Sequence, residues 1–465
     1  MKLQNAGPTL VSRNSRIKDL ISLEAPEERA VLVGAPLKRT PGRHAVHDHL
    51  AELARLADTA GARVVASVTQ QIERPDPATY VGSGKVEELR TVVADRNATL
   101  VVFDDELSPA QGKNLEEVLG KRVIDRAELI LDIFATRART AEAKMQVELA
   151  QLEYSLPRLT RMWTHLEKFR GGIGVRGPGE TQLETDRRLV GQRIKILRER
   201  LEDVARARTV QRQSRRGAFR AALVGYTNAG KSSILRALAR DEDVFVEDRL
   251  FATLDPLTRE VAVDDKHEAL VTDTVGFIRK LPHHLVASFR ATLEEVKDAD
   301  VLVHVIDASH PQWEEQRTIV EDVLHDMGVT GRPTVHAFNK MDLIAPVDAE
   351  DFRKRIEASD ASAVCVSAMA PEGIEPLRRA LRDAVLASRP EVELRVPSTD
   401  GRLLAQVYRE TEVLDRRADD GVLVLRVRAE RSAIGRLEAS GATRSSVGGT
   451  SDGPVREWAR RDSNP

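Results

Sequence analysis

Cysteine, long apolar runs and net charge are all scarce in this sequence. Its one cysteine, Cys365, cannot close an internal disulfide, and in the apolar run AVCVSA it reads as a small buried hydrophobe. No apolar run approaches the roughly 18 to 20 residues that span a bilayer. The opening MKLQNAGPTLVSRNSRIKDL lacks the apolar stretch of a secretory signal, so a cytoplasmic location is expected. Lys plus Arg (71) nearly balances Asp plus Glu (73), and a net charge of −2 points to no partner. No tandem repeat of fixed period is present. The 465 residues, 41% hydrophobic and 31% charged, describe a soluble globular chain of about three domains.

Residues 1–28 are polar and aperiodic and read as a loose leader. A βαβ rhythm occupies 29–140: strands at AVLVGA, RVVASV and TLVVFDD alternate with helices, and RVIDRAELILDIFA supplies a short strand and a further helix. Apolar strands alternating with amphipathic helices predict a small parallel sheet covered on both faces. From 217 to 389 the rhythm returns as a second α/β domain. VELRVP, a helix near Gly401–Arg409, TEVLDR and GVLVLRVRAE make 390–439 a small C-terminal domain of mixed helix and strand. The Gly/Ser/Thr-rich stretch 440–465 reads as a disordered tail.

Residues 141–216 have a different period. Met145, Leu149, Leu152, Leu156, Leu159 and Leu166 form one heptad seam, and Leu183, Val190, Ile194, Leu197, Leu201 and Val204 another. Two such helices bury their seams against each other, which predicts an antiparallel hairpin kinked at Pro157. RGGIGVRGPGE (170–180), with five glycines and one proline, should be a non-helical loop at the tip of this arm. From Arg158 to Arg216 there are 16 Lys and Arg against 7 Asp and Glu, a net of +9. That excess, with Arg170 and Arg176 in the tip, favours a polyanion such as RNA over a merely solvated face.

The chemistry lies in the second α/β domain. Gly225, Tyr226, Thr227, Asn228, Ala229, Gly230, Lys231 and Ser232, followed by Ser233, match GxxxxGK[ST] between an apolar strand and a helix. Glycines let backbone N–H groups turn onto phosphate oxygens, Lys231 reaches the β and γ phosphates, and the Ser232 hydroxyl can ligate Mg²⁺. Asn339-Lys340-Met341-Asp342 selects the base, because a carboxylate at Asp342 accepts two hydrogen bonds from guanine that adenine cannot offer. A site built on such bonds discriminates by a factor on the order of 10⁴. Ser367 and Ala368 form the expected clamp on the guanine carbonyl. Asp273, Thr274, Val275 and Gly276 give DxxG, with Asp273 holding Mg²⁺ through water and the Gly276 amide sensing the γ-phosphate. Phe251, Ala252, Thr253 and Leu254 lie where a first switch is expected, with Thr253 as the second Mg²⁺ hydroxyl and Thr258 as its rival. Phe277 stands where many switch GTPases place a water-orienting glutamine, so unaided hydrolysis should be slow. Asn228 either lends an oxygen to a K⁺ ion bridging the α and γ phosphates or simply stabilises the loop.

Other candidates read as structural. Gly82-Ser83-Gly84-Lys85 lacks the full phosphate-loop spacing and is expected to be a helix entry. His44, His47 and His49 beside Asp48 fit an exposed helix start. Tyr154 and Trp163 are expected to pack the arm.

RGGIGVRGPGETQLETDRR, ELILDIFATRARTAEAKMQVELAQLEY, GYTNAGKSS, FATLDPLTR, DTVGFI and NKMD together resemble the HflX family of translational GTPases. The resemblance runs from about Val31 to the end of the central domain. It implies an α/β class chain: a P-loop GTPase domain preceded by a smaller α/β domain with a helical coiled-coil arm, and followed by a small C-terminal domain. It also implies binding to the large ribosomal subunit and its RNA, with splitting or rescue of stalled ribosomes under stress. The family's DPTTR is DPLTR here, Leu257 replacing a threonine. A ribosome assembly GTPase and an RNA-remodelling enzyme with its chemistry in the N-terminal domain remain as rivals, though no acid, base or metal constellation there supports the second.

Overall fold

A computed structural model of the chain describes residues 27–38, 46–159, 178–214, 218–241, 249–265, 267–281, 295–370, 372–429 and 431–445. The expected leader thus lies outside the described residues except at its end, where β1 (Glu28–Gly34) begins. With β2 (Ala62–Thr69), β3 (Leu100–Phe103) and β4 (Arg122–Asp125), it forms a parallel sheet in the order β2-β1-β3-β4. The strands are apolar on both faces because both are covered. Leu32 and Val102 pack with α1 (Val46–Thr59) and α4 (Arg126–Arg137). Val31 and Val101 pack on the other face with α2 (Ser83–Asp95) and α3 (Pro109–Leu119). Gly82 is the N-cap of α2 and Lys85 pairs with Glu88 at 2.6 Å, so Gly82–Lys85 is a helix entry.

The arm departs from expectation in its direction. α5 (Ala141–Ser155) ends in a 3₁₀ turn at Leu156–Arg158, where Pro157 denies the helix an N–H. The long α6 (Pro178–Ser214) then packs against α5 through Leu149, Ile194 and Leu197. Arg193 pairs with Glu148 at 2.6 Å and Arg198 with Glu153 at 2.7 Å. Both pairs advance together along the two helices, so α5 and α6 run parallel, not as the antiparallel hairpin the seams suggested. A heptad seam fixes which face is buried and leaves direction open. Arg170, Arg176 and Trp163 lie outside the described residues. The tip loop was expected to run to Glu180, yet α6 already begins at Pro178, because proline is suited to the first turn of a helix.

The central sheet has the order β10-β9-β8-β5-β7-β6. Its strands are β5 (Arg220–Gly225), β6 (Leu257–Ala262), β7 (Glu268–Asp273), β8 (Val301–Asp307), β9 (Thr334–Asn339) and β10 (Ala363–Cys365), all parallel except the edge strand β6. α7 (Lys231–Ala239) and α10 (Glu375–Ser388) cover one face. The other face, beneath α8 (Trp313–Asp326), shares a continuous apolar cluster with the first domain: Val224, Phe251, Phe277 and Val320 pack in one core with Leu53, Ile130 and Phe134. α9 (Pro346–Ser359) closes the β10 edge, where Cys365 is a buried free thiol.

The last sheet, β12 (Glu412–Asp419), β13 (Val422–Arg428), β11 (Glu391–Pro397) and β14 (Thr443–Ser445), is antiparallel, with α11 (Gly401–Glu410) and α12 (Arg431–Ala439) packed on it. β14 corrects the start of the expected tail: Thr443 pairs with Arg395 and Ser445 with Glu393, so residues 440–445 continue the domain, while 446–465 lie outside the described residues. An edge strand needs only backbone partners, which composition does not reveal.

Candidate functional site

The phosphate loop joins β5 to α7, where the strand must turn sharply into a helix. Gly230 has φ +96°, and a Cβ there would lie 2.2 Å from Asn339 Nδ2. Asn228 also adopts a left-handed conformation, φ 61°. Lys231, buried beneath the loop, donates to the carbonyls of Tyr226 (3.0 Å) and Gly225 (3.2 Å). Burial lowers its ammonium to about 8. Opposite it, fully buried Asp273 is raised above the usual carboxylate range by its own burial. Two buried charges thus face a space in which a phosphate and a cation would each find a partner.

Three oxygen-bearing side chains meet there. Ser232 Oγ donates to Asp273 Oδ2 at 2.6 Å and lies 2.9 Å from Thr253 Oγ1. Asp273 Oδ1 is buried with no hydrogen-bond partner. This all-oxygen set with one orphaned carboxylate oxygen fits a hard cation such as Mg²⁺. Thr258 is elsewhere, its hydroxyl 2.9 Å from that of Thr272 within the β6–β7 pair.

The switch segments divide their side chains between cleft and core. Phe251 is buried edge-to-face on Phe134, with ring centroids 4.7 Å apart, and Leu254 is buried with it. Ala252 and Thr253 line the cleft. In DTVG, Thr274 donates its hydroxyl to the Leu223 carbonyl at 2.6 Å, and Val275 packs against the core. Gly276 closes on the phosphate loop, where an added Cβ would lie 2.6 Å from Thr227 Cα and 3.1 Å from Lys231 Nζ. Two backbone bonds hold this approach, Thr227 N to Phe277 O (2.7 Å) and Phe277 N to Gly225 O (3.0 Å). The Phe277 ring itself is buried in the shared core.

Of the residues expected to recognise the base, Asp342 and Ser367 are joined, Ser367 Oγ donating to Asp342 Oδ1 at 2.5 Å. Asn339 is a brace: Nδ2 donates to Ala229 O at 3.0 Å and Oδ1 accepts from Ala368 N at 3.2 Å, tying phosphate loop to base clamp. Lys340 pairs with Asp307 at 2.8 Å, and the Met341 side chain is buried in a separate apolar cluster. The cleft enclosed by these elements has a volume of about 490 Å³, sufficient for a nucleotide. Arg249, Leu343 and Met369 also line it. Leu343 and Met369 are 66% and 80% exposed, and their positions just beyond NKMD and VSA were the available clue. Arg249 gave none.

The Tyr226 side chain turns from the cleft toward the first domain, where its hydroxyl donates to Glu52 Oε1 at 2.7 Å. His49 is half-buried, and burial with Arg279 nearby lowers its imidazole to about 4; it is not the freely exposed residue expected of that helix start. Tyr154 is buried with its hydroxyl on Asp125 at 2.8 Å, which makes it a packing residue. Among the described residues, His304, Glu321 and His336 come within 4.8 Å of one another, but Arg317 already pairs with Glu321 at 2.7 Å. No described helix is long and apolar enough to cross a membrane.

Known proteins share these features. Residues 47–135 match the model of a GTP-binding GTPase N-terminal region, 137–215 that of a GTP-binding GTPase middle region, and 220–340 that of a 50S ribosome-binding GTPase. The GTPase HflX of Magnetococcus marinus is 45% identical over 418 residues, 89% of this chain and 95% of that protein. The GTPase HflX of Escherichia coli is 45% identical over 390 residues, 82% of this chain and 89% of that one. The crystal structure of a GTP-binding protein from Sulfolobus solfataricus in complex with GDP is similar at 23% identity and a TM-score of 0.42, covering 77% of this chain and 98% of that chain. With family models matching residues 47–135, 137–215 and 220–340 and 45% identity to these GTPases over most of both chains, the chain belongs to the HflX family and is a GTPase.

Proposed function

We propose that this GTPase binds the large ribosomal subunit through its basic arm, splits or rescues stalled ribosomes under stress, and uses its nucleotide state to control the arm. The observation that carries the control is Asp255, two residues beyond Thr253. Its carboxylate accepts from the backbone N–H groups of Arg139 (3.1 Å) and Thr140 (3.3 Å), and from the Thr140 hydroxyl. Thr140 is the N-cap of α5, so a movement of the first switch pulls directly on the root of the arm. The match of residues 220–340 to a 50S ribosome-binding GTPase model supports the ribosomal partner.

In this reading Ser232, Thr253 and Asp273 would hold Mg²⁺, which would supply positive charge against the β and γ phosphates. Lys231 neutralises the same phosphates, and Asp342 with Ser367 and Ala368 fixes guanine. Asn228, in the loop position facing the α and γ phosphates, either would lend its oxygen to a K⁺ ion or stabilises the loop. The buried Phe277 ring cannot orient water, so hydrolysis is slow until the ribosome supplies what is missing. Arg170 and Arg176 meet ribosomal RNA. The deciding experiment pulls down ribosomal particles with the protein loaded with GDP or a non-hydrolysable GTP analogue, then sediments treated ribosomes. The analogue should retain large subunits and shift whole ribosomes to subunits, and Arg170→Ala with Arg176→Ala should weaken both while sparing GTP affinity. Equal retention with both nucleotides refutes nucleotide control, and unchanged whole ribosomes would point to assembly instead.

A further inference from the structure

The phosphate loop and the second switch both meet the N-terminal domain at one carboxylate. Besides the Tyr226 hydroxyl, Glu52 engages the Arg126 guanidinium at 3.0 Å and that of Arg279 at 3.7 Å. The Tyr226 oxygen in turn accepts from the Arg279 backbone N–H at 3.0 Å. One phenol therefore links a phosphate-loop residue, a helix of the first domain and the backbone just past DTVGFI. Arg126, 2% exposed, anchors the far side through Asp104 at 2.8 Å, and Lys280 pairs with the same Asp104 at 2.8 Å. Burial would raise the Asp104 carboxyl, but Arg126, Lys280 and Arg279 outweigh it and pull it to about 2, so the cluster stays ionised. A cavity of about 160 Å³ lies alongside, walled by Glu52, Tyr226, Asn228, Arg279 and Lys340. Burial and Glu52 both push the Tyr226 phenol upward, so it stays a donor.

We propose that Glu52 is a positioning residue of the GTPase reaction, acting through the Tyr226 hydroxyl to hold the second switch against the phosphate loop. Gly276, whose amide must reach the γ-phosphate, lies three residues before Arg279, whose N–H the phenol oxygen holds. Loosening that hold lets the switch swing away from the phosphates. It leaves Lys231, Asp342 and Ser367 untouched, so the loss falls on turnover and not on grip.

Tyr226→Phe removes only the hydroxyl, keeping the ring in the shared core and the Glu52–Arg126 pair. It should lower single-turnover GTP hydrolysis about fivefold to thirtyfold, the loss of one or two hydrogen bonds. GDP affinity should stay within about twofold, the scale of a bond left unaltered. Glu52→Ala should show the same split, and the double variant should be no slower than the worse single, because both cut one link. Rates are normalised to active sites titrated with GDP, so a change confined to folding would leave them unmoved. Wild-type hydrolysis in Tyr226→Phe overturns the proposal, as does equal loss of GDP affinity or additive losses in the double variant. If Glu52→Ala fails to fold because Arg126 is left half-paired, Tyr226→Phe alone still decides.

Discussion

Replacing Gly276 by alanine adds one methyl group where the second switch crosses the phosphate loop. The new carbon would stand 2.6 Å from Thr227 Cα and 2.9 Å from Thr227 Cβ, against an ordinary contact of about 3.5 Å or more. Thr227 Cα is backbone, pinned by the two bonds that join Thr227 and Gly225 to Phe277. Relief therefore means overpacking strain of about 1 to 3 kcal/mol, or rupture of those bonds at about 1 kcal/mol each. Either way the switch is held off the phosphates by roughly 1 to 3 kcal/mol, a factor of about 5 to 150 in rate if it all falls on the reactive arrangement. Single-turnover hydrolysis with excess protein measures this, with GDP titration confirming a folded site. Wild-type hydrolysis by a folded Gly276→Ala protein would refute the claim that this approach is part of the reactive geometry.

Asp342→Asn should weaken GTP binding and let xanthosine triphosphate compete, since an amide inverts one of the two bonds to the base; unchanged guanine preference in a competition assay would sink the assignment. Lys231, lowered to about 8 by burial, should make GTP affinity depend on pH. Phosphate prefers the charged ammonium, so affinity is greatest below that value and falls about tenfold between pH 7 and 9, read by calorimetry; a flat profile contradicts this. Exchanging Na⁺ for K⁺ should raise hydrolysis if Asn228 lends its oxygen to the ion, and equal rates in the two salts would make Asn228 a loop residue only. Asp255→Ala should leave GTP affinity near wild type and reduce the difference in ribosome retention between GDP and the GTP analogue; full retention of that difference removes Asp255 from the coupling.

The nucleotide motifs were legible because their chemistry is local. A glycine, a lysine and a hydroxyl at fixed spacing after an apolar strand can form only a few backbone shapes, and NKMD carries its carboxylate wherever the strand ends. Alternating apolar strands and helices likewise announced the parallel strands of both α/β sheets, though not the antiparallel edge strand β6. Long-range pairing was not legible. Spacing favoured Thr253 over its neighbour Thr258, but only the β6–β7 register shows Thr258 going to Thr272 and Thr253 lying beside Ser232. Phe251 lies in the first switch, yet its ring packs against Phe134 of the first domain. The seams of α5 and α6 named their buried faces, but only the pairing of Glu148 with Arg193 and Glu153 with Arg198 shows that the helices run parallel. Tyr226 stands inside the phosphate loop, while its hydroxyl belongs to a helix 174 residues earlier. Spacing along a chain encodes a turn or a face; a meeting of distant side chains is decided by which surfaces must be buried together, and only the folded core shared by the two α/β domains makes that choice.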